Sequence, residues 1–482
     1  TALGNEVLRN NTTGSRNAGV GMNSLLSNTT GNNNSTLGMY ALKDNTTGGG
    51  NIALGSDALR SNVANSGSIA IGNNAMLYAD NRTSGITTAN TAVGHESMQG
   101  SSTAANNVGQ YNSVLGYQTL IANTSGNYNS GLGYRALYTN TSGEDNMASG
   151  AAALYQNTTG SFNTAIGNNA LYSNKGNEKS VAIGHNAMYY ADDRTTGRTA
   201  ANVAIGYEAL KGSATAANNT GQDNTAIGYL SMTGNTSGYG NSALGTGSLT
   251  ANTTGAYNTS IGTSSLNVNT LGDYNVGLGY QSLVHNTTAA NNVAIGGRDA
   301  LFTNITGENN IAVGTSALYT SNASNNTAVG YNAGYSNTSG TDNIFIGKSS
   351  AGFSATSSNQ IVIGTSAIGL GSNTTIIGNS STTSAELKGT LKSNGQILAL
   401  TTKSANYTLT ASDEIITVTA GATIMLPSAV GAIGRTYTIK RTGSSDVIID
   451  GDGSQTIDGA TTHTLTAQYK YCLLYTSDAA DE

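Results

Sequence analysis

Residues 224–240 read Asn224-Thr-Ala-Ile-Gly-Tyr-Leu-Ser-Met-Thr-Gly-Asn-Thr-Ser-Gly-Tyr-Gly240, and the next stretch reopens the phrase as Asn241-Ser-Ala-Leu-Gly245. The phrase thus returns with a 17-residue period. Indexed by the Gly that closes the opening phrase, 21 copies run from Gly4 to Gly364. Of the 20 spacings between them, fourteen have this same length, four measure 22, and the other two 18 and 16. Gly378 indexes a last, shortened copy. A repeat this short, with strand-like and turn-like segments, reads as one coil of a parallel β-solenoid. Helical repeats are longer, and Asn-Thr-Thr-Gly at this density breaks helices.

A second order sits above the first. Gly4 to Gly116 and Gly116 to Gly228 are equal intervals, since 116 − 4 and 228 − 116 are both 112. The long copies match across the two blocks. Ala75-Met-Leu-Tyr-Ala-Asp-Asn-Arg82 aligns with Ala187-Met-Tyr-Tyr-Ala-Asp-Asp-Arg194, and Thr103-Ala-Ala-Asn-Asn107 with Thr215-Ala-Ala-Asn-Asn219. A six-copy segment has been duplicated.

Position by position, the repeat assigns roles. The residue before the index Gly is aliphatic in 20 of 21 copies, and the residue four after it is Leu or Met in 17 of 21. Both positions are expected to line a narrow interior, with the small residue three after the Gly where the walls approach. The Gly itself suits a sharp bend. Four residues before it stands Asn in 17 of 20 copies, among them Asn17, Asn34, Asn51, Asn90, Asn163, Asn224 and Asn310. Stacked about 4.8 Å apart, these are expected to form an amide ladder with a structural role. The second Asn, as in Asn28-Thr-Thr-Gly31, begins a turn. It also spells a glycosylation sequon, which the turn chemistry explains without a sugar.

Composition narrows the function. The 482 residues include 63 Gly, one Pro, one Cys and no Trp. Collagen is excluded for want of a strict Gly triplet and of Pro, and a disulfide scaffold by the lone Cys. A net charge of −6 with no basic stripe excludes a nucleic-acid footprint. No apolar run reaches the roughly 18 residues of a membrane span, so no membrane insertion is expected within this fragment. No cofactor or metal is expected. His95 and His185 are single rungs that each follow an index Gly. Phe345-Ile-Gly-Lys-Ser349 resembles a phosphate loop but has Asp342 where the first Gly belongs. Asp450-Gly-Asp-Gly453 reads as a hairpin turn, because the full calcium-loop pattern is missing. No nucleophile–base pair stands out, and the expectation is a protein that is not an enzyme.

Past residue 378 the repeat gives way to a neck at 379–396. Residues 397–471 then alternate in short apolar runs, at Tyr407-Thr-Leu, Ile415-Ile-Thr-Val, Ala422-Thr-Ile-Met-Leu, Thr436-Tyr-Thr-Ile-Lys and Val447-Ile-Ile-Asp. Turns at Gly421, Gly443 and Gly451 separate them, which predicts a small, truncated antiparallel β-module. Residues 472–482, Cys472-Leu-Leu-Tyr-Thr-Ser-Asp-Ala-Ala-Asp-Glu482, read as translated transposase adapter DNA, an artefact of read-through. Thr1 falls inside a repeat, so the chain is expected to be a fragment open at both ends.

Ser180-Val-Ala-Ile-Gly184 and Asn202-Val-Ala-Ile-Gly206 resemble the head repeats of YadA-type trimeric autotransporter adhesins. Asn326-Thr-Ala-Val-Gly-Tyr331 is similar to repeats of phage tail fibres. Gly434-Arg-Thr-Tyr-Thr-Ile-Lys440, with Asp458-Gly-Ala-Thr461, resembles a module found near tail-fibre C-termini. The resemblance covers about Thr1 to Asn379. It implies a trimeric, left-handed parallel β-roll used for attachment, although the adhesin heads have shorter coils.

The expectation is therefore an all-β chain: a solenoid of about 21 coils over 1–378, with 22-residue coils around 72–116 and 184–228, followed by the small β-module. Thin coils with few apolar side chains are expected to bury a face against identical chains, most simply as a homotrimer. The long coils should project loops at Tyr78–Ala89, Gly100–Tyr111, Tyr190–Ala201 and Gly212–Asp223. Their charged residues Asp80, Arg82, Asp192, Asp193, Arg194 and Arg198 are the candidate contacts to a host-cell surface receptor, a glycan being one class. The index-following tyrosines are expected mainly to stack coil on coil. The function read from this is a non-enzymatic attachment fibre, at a virion tail or a cell surface. The alternative is an ice-binding or other surface-exposed solenoid with no receptor role.

Overall fold

The computed structural model describes residues 1–79, 81–103, 106–191, 193–384, 400–410, 413, 415–428, 435–453 and 455–475. The chain forms two units, Thr1–Ala385 and Glu386–Glu482. The sequence boundary at 378 falls just before the end of the first unit, and residues 385–399, most of the expected neck, lie outside the described residues.

The first unit is a parallel β-solenoid. It has 22 short strands, from β1 (Ala2–Leu3) to β22 (Thr375–Ile377), in a single sheet. Each strand pairs in parallel with the next copy of itself. Thr164, Ala165 and Ile166 lie opposite Val181, Ala182 and Ile183, and then Val203, Ala204 and Ile205. The register survives the 22-residue coils unchanged. It slips only around the 18-residue coil, where Tyr280 pairs with Arg298.

Alternation along a strand decides what is inside. The middle residue points inward, and Ala53, Ala70, Ala165, Ala182 and Ala204 are fully buried. Opposite them pack the Leu or Met four residues after the index Gly and the Ala before it, as with Ala41–Leu42 and Ala170–Leu171. The residue just before the Gly points outward, contrary to the sequence expectation. Leu37 is 54% exposed and Leu115 51%. The physical reason is the strand's period of two: with Ala inside, its aliphatic neighbour must face the other way. One coil departs in a compensated manner. Phe345 takes the inward place, and Gly334 stands where the Leu would be; a Cβ there would lie 2.6 Å from the Phe345 ring.

The bend after each strand requires glycine. From Gly4 to Gly364 the index glycines take φ between 123° and 147°, except Gly296 in the 18-residue coil. A Cβ on Gly38 would stand 2.3 Å from the Gly55 carbonyl oxygen, and one on Gly167 would stand 2.6 Å from that of Gly184. The following turn puts two non-glycine residues in the left-handed region, such as Asn169 at φ 57° and Leu171 at φ 53°. Each costs about 1–2 kcal/mol, which burial of the Leu offsets.

The second unit is all-β, but its pairing corrects the antiparallel expectation. Strands β23 (Leu400–Lys403), β25 (Ile415–Val418) and β27 (Thr436–Arg441) pair in parallel. So do β24 (Tyr407–Thr408), β26 (Ala422–Met425) and β28 (Val447–Asp450). Among the described residues, only β29 (Thr462–Leu465) and β30 (Tyr471–Tyr475) form antiparallel strand pairs, with β28 and β27 respectively. From β23 to β28 consecutive strands alternate between the two sheets, so the turns at Gly421 and Gly443 are corners rather than hairpins. Both sheets feed one core, with Ile416, Tyr437 and Ile439 from one and Ile424, Val447 and Ile449 from the other. Strand β30 spans the boundary drawn at 471 and 472, and residues 476–482 lie outside the described residues.

Replacing Gly167 by Ala should cost on the order of 3 kcal/mol, from the forced φ and the clash with Gly184 together. The full chain should show a lower urea midpoint. An unchanged midpoint would mean that the bends tolerate a side chain.

Candidate functional site

Two buried amide ladders run along the solenoid. In the first, formed by the Asn four residues before each index Gly, the side-chain oxygen accepts from the backbone N–H of the next rung. Asn34 N donates to Asn17 Oδ1 over 3.0 Å, and Asn51 N to Asn34 Oδ1 over 3.0 Å. The amide nitrogen both reaches the preceding rung and crosses the coil: Asn163 Nδ2 donates to Asn146 Oδ1 at 3.2 Å and to the Asn177 carbonyl at 2.8 Å. Asn90, Asn224 and Asn310 act alike, through Gly109, Gly238 and Ala323. Each Asn thus closes the corner of its own coil and fixes the register of the next.

The second ladder went unread in the sequence, where its Asn served only to begin a turn. Here too side chain meets side chain. Asn157 Nδ2 donates to Asn140 Oδ1 at 2.7 Å and to the Gly160 carbonyl at 2.9 Å, and Asn174 Nδ2 donates to Asn157 Oδ1 at 2.9 Å. Its signal was the 17-residue period itself. Many of these sequon asparagines are buried, Asn28, Asn45 and Asn157 at 0% exposure, which leaves those amides inaccessible to a sugar.

The 22-residue coils enter at this same corner. Seven residues, 80–86 or 192–198, stand where three stand in the preceding coil. The bulges rejoin the frame through parallel bridges, Ser66 with Thr87 and Glu178 with Thr199. Of the candidate contact residues, Asp80 and Asp192 lie outside the described residues. Arg82 and Arg194 are exposed, whereas Asp193 and Arg198 are half-buried. Asp193 faces Lys175 at 3.8 Å, and Arg198 donates to the Asn219 carbonyl at 3.4 Å. Beside the second bulge, Glu208 sits 3.0 Å from Lys211. Partial burial alone would raise its carboxyl pKa. The hydrogen bond and charge of Lys211 outweigh that and hold it below the usual value.

Aromatic rings form further ladders. Tyr138, Tyr155, Tyr172 and Tyr189 stack at 4.9–5.0 Å with planes within 2°. His95, Tyr117 and Tyr134 stack on the first long-coil region, and His185, Tyr207 and Tyr229 on the second, at 5.3–5.5 Å. Neighbouring coils cover the ring faces, so these rings tie coil to coil. Among the described residues, no group of three His, Cys, Asp or Glu could hold a metal ion. No helix among them is long and apolar enough to cross a membrane.

Compared with known proteins, the chain matches no family model and no curated protein sequence.

Asn140 sits mid-ladder at 0% exposure, bonded to Asn123, Gly143 and Asn157. Substitution by Ala orphans buried partners and should cost about 2–3 kcal/mol. Asn140→Asp places a carboxylate in that interior. Burial raises its folded-state pKa, so the penalty should be full at neutral pH and shrink as pH falls through the raised value. Urea unfolding of the full chain at several pH values checks both.

Proposed function

We propose that the chain is the solenoid portion of a non-enzymatic attachment fibre, a phage tail fibre or a trimeric surface adhesin head, that works as a homotrimer. One observation carries this reading. The aliphatic residue that ends each strand faces outward, coil after coil, including Leu37, Ile71, Leu115, Leu132, Ile166, Leu244, Ile261 and Ile346, each at least 36% exposed. Outward neighbours Ile52, Val181, Val203 and Val293 widen the stripe. Over 22 strands at about 4.8 Å, its apolar area is on the order of 1,000 Å², beyond what a monomeric protein leaves uncovered. It is also enough for a specific interface. Its periodicity matches only another object with the same rise, and a second copy of this chain is such an object.

In this reading the trimer axis runs along the stripe, and the bulges, inserted at the Asn-Thr-Thr-Gly corner, contact a surface receptor. The expected location is a virion tail or a cell surface. Resemblance of Ser180–Gly184 and Asn326–Tyr331 to adhesin and tail-fibre repeats supports the same assignment. The ice-binding alternative gains less support. The first Thr of each corner spends its hydroxyl on the next coil, as Thr141 Oγ1 on the Thr158 carbonyl at 3.0 Å and Thr253 Oγ1 on that of Thr270 at 3.0 Å.

Light scattering should give three times the chain mass. Ile166→Glu with Ile183→Glu and Ile205→Glu should lower it to one chain, with the β-sheet circular dichroism signal retained. A wild-type monomer would overturn the trimer.

Cutting each 22-residue coil to the ordinary length should keep the trimer and reduce binding to the cognate cell surface at least tenfold. Undiminished binding would remove the bulges as the contact.

A further inference from the structure

The second amide ladder breaks at the long coils, and the break encloses a cavity. Where Asn follows Asn along this ladder, Oδ1 accepts from the Nδ2 of the next coil, as Asn140 and Asn157 do. After Asn174 the next rung is Ala191, then Ser213, and the ladder resumes at Asn235. Ala191 holds the rung's backbone geometry: its N–H donates to Met188 O at 3.2 Å, as Asn174 N–H donates to Leu171 O at 3.2 Å. Only the amide is missing. Asn174 is 0% exposed, and its Oδ1 has no hydrogen-bond partner among the described residues. By the ladder's polarity that oxygen points toward residue 191. A cavity of about 30 Å³ lies there, lined by Asn174, Ser180, Ala191, Asn219 and Asn235 among others. A similar cavity of about 20 Å³ lies at the equivalent place in the preceding block, among Asn62, Ser68, Ala79, Asn107 and Asn123.

We infer that the cavity at Ala191 is a binding site for an internal water molecule that takes the place of the first missing rung. Its volume admits one water, for which about 10–15 Å³ suffices. A buried carbonyl oxygen facing a polar pocket supplies the acceptor. Asn235, on the far side, gives one amide hydrogen to Gly238 O at 3.0 Å. A water in the cavity donates to Asn174 Oδ1, and the Ser180 hydroxyl, which lines the same cavity, offers a second partner, which meets the need of a buried water for two or more partners. Asn219 supports the site from the bulge. Its Oδ1 accepts from Ser213 N at 2.8 Å, while its Nδ2 donates to Ser213 O at 2.9 Å and also to Tyr190 O. The same geometry fails for an apolar guest, which would leave Asn174 Oδ1 orphaned.

Two substitutions at Ala191 separate a wet cavity from a dry one by sign. Ala191→Val fills the space with methyl groups. It lowers the thermal midpoint of the full chain by about 1–3 °C if a water is displaced, and raises it if the cavity is empty. Ala191→Asn restores the missing donor and should raise the midpoint. A high-resolution crystal structure of the unmodified chain should show a density peak within about 3.2 Å of Asn174 Oδ1. A featureless cavity, or stabilisation by Ala191→Val, would overturn the inference.

Discussion

A 17-residue coil has too little interior to bury its corners behind apolar side chains, so its backbone must be satisfied from within. The amide of asparagine does this. One such side chain presents an acceptor and two donors on a short stem. In both ladders it spends a donor on a carbonyl of a Thr-Thr-Gly-type corner and its oxygen on the next coil. The first bond shapes the coil and the second sets the rise. Leaving such a buried group unmet costs as much as several good contacts return. The fold therefore rests on repeated polar satisfaction more than on its thin core of Ala and Leu. The outer side of the strands is left as an apolar stripe.

The glycines answer the same geometric demand from the other side. Where strand turns to corner, successive coils approach until their backbones touch, and the Cα of the index Gly faces the carbonyl of the next. No side chain fits between strands at sheet spacing in that orientation. Gly and Asn thus form a pair of constraints: one lets coils approach, and the other holds them once they have. Rings stacked at about 5 Å add a third tie, chiefly between 111 and 335.

The solenoid was legible in the sequence because its period is rigid and its marker residues do one thing each. The 17-residue spacing of Gly and Asn foretold strand, bend and register. What it hid was direction. Ala-Ile-Gly does not say which of two adjacent apolar residues faces inward, and size pointed to the Ile. Beside the Leu from the opposite wall most coils take a small residue, usually Ala, so the larger residue is turned out. Nor does anything in the letters mark Leu42 or Leu154 as left-handed at φ 51°; that follows from closing the coil. In the second unit the strands were readable but not their partners. A Gly between two alternating runs fits a hairpin and a sheet-to-sheet corner equally well, and the number of residues between strands does not separate them. Of the candidate contacts, the bulges were readable as departures from the period. That Asp193 and Arg198 would turn back onto the scaffold was not.

The long coils show how the two ladders divide their work. Five residues can be added at the Asn-Thr-Thr-Gly corner because the strand, its register and the first ladder do not pass through it. That ladder does weaken just before each bulge, at Ser68 and Ser180, but resumes at once as Asn112 N binds Asn90 Oδ1 and Asn224 N binds Asn202 Oδ1. The second ladder runs through the corner itself and cannot survive the insertion. Ala79 and Ser101, and again Ala191 and Ser213, are what remains of its rungs. Projecting a loop and opening an internal cavity are therefore one structural event. The duplicated six-copy block carries both together.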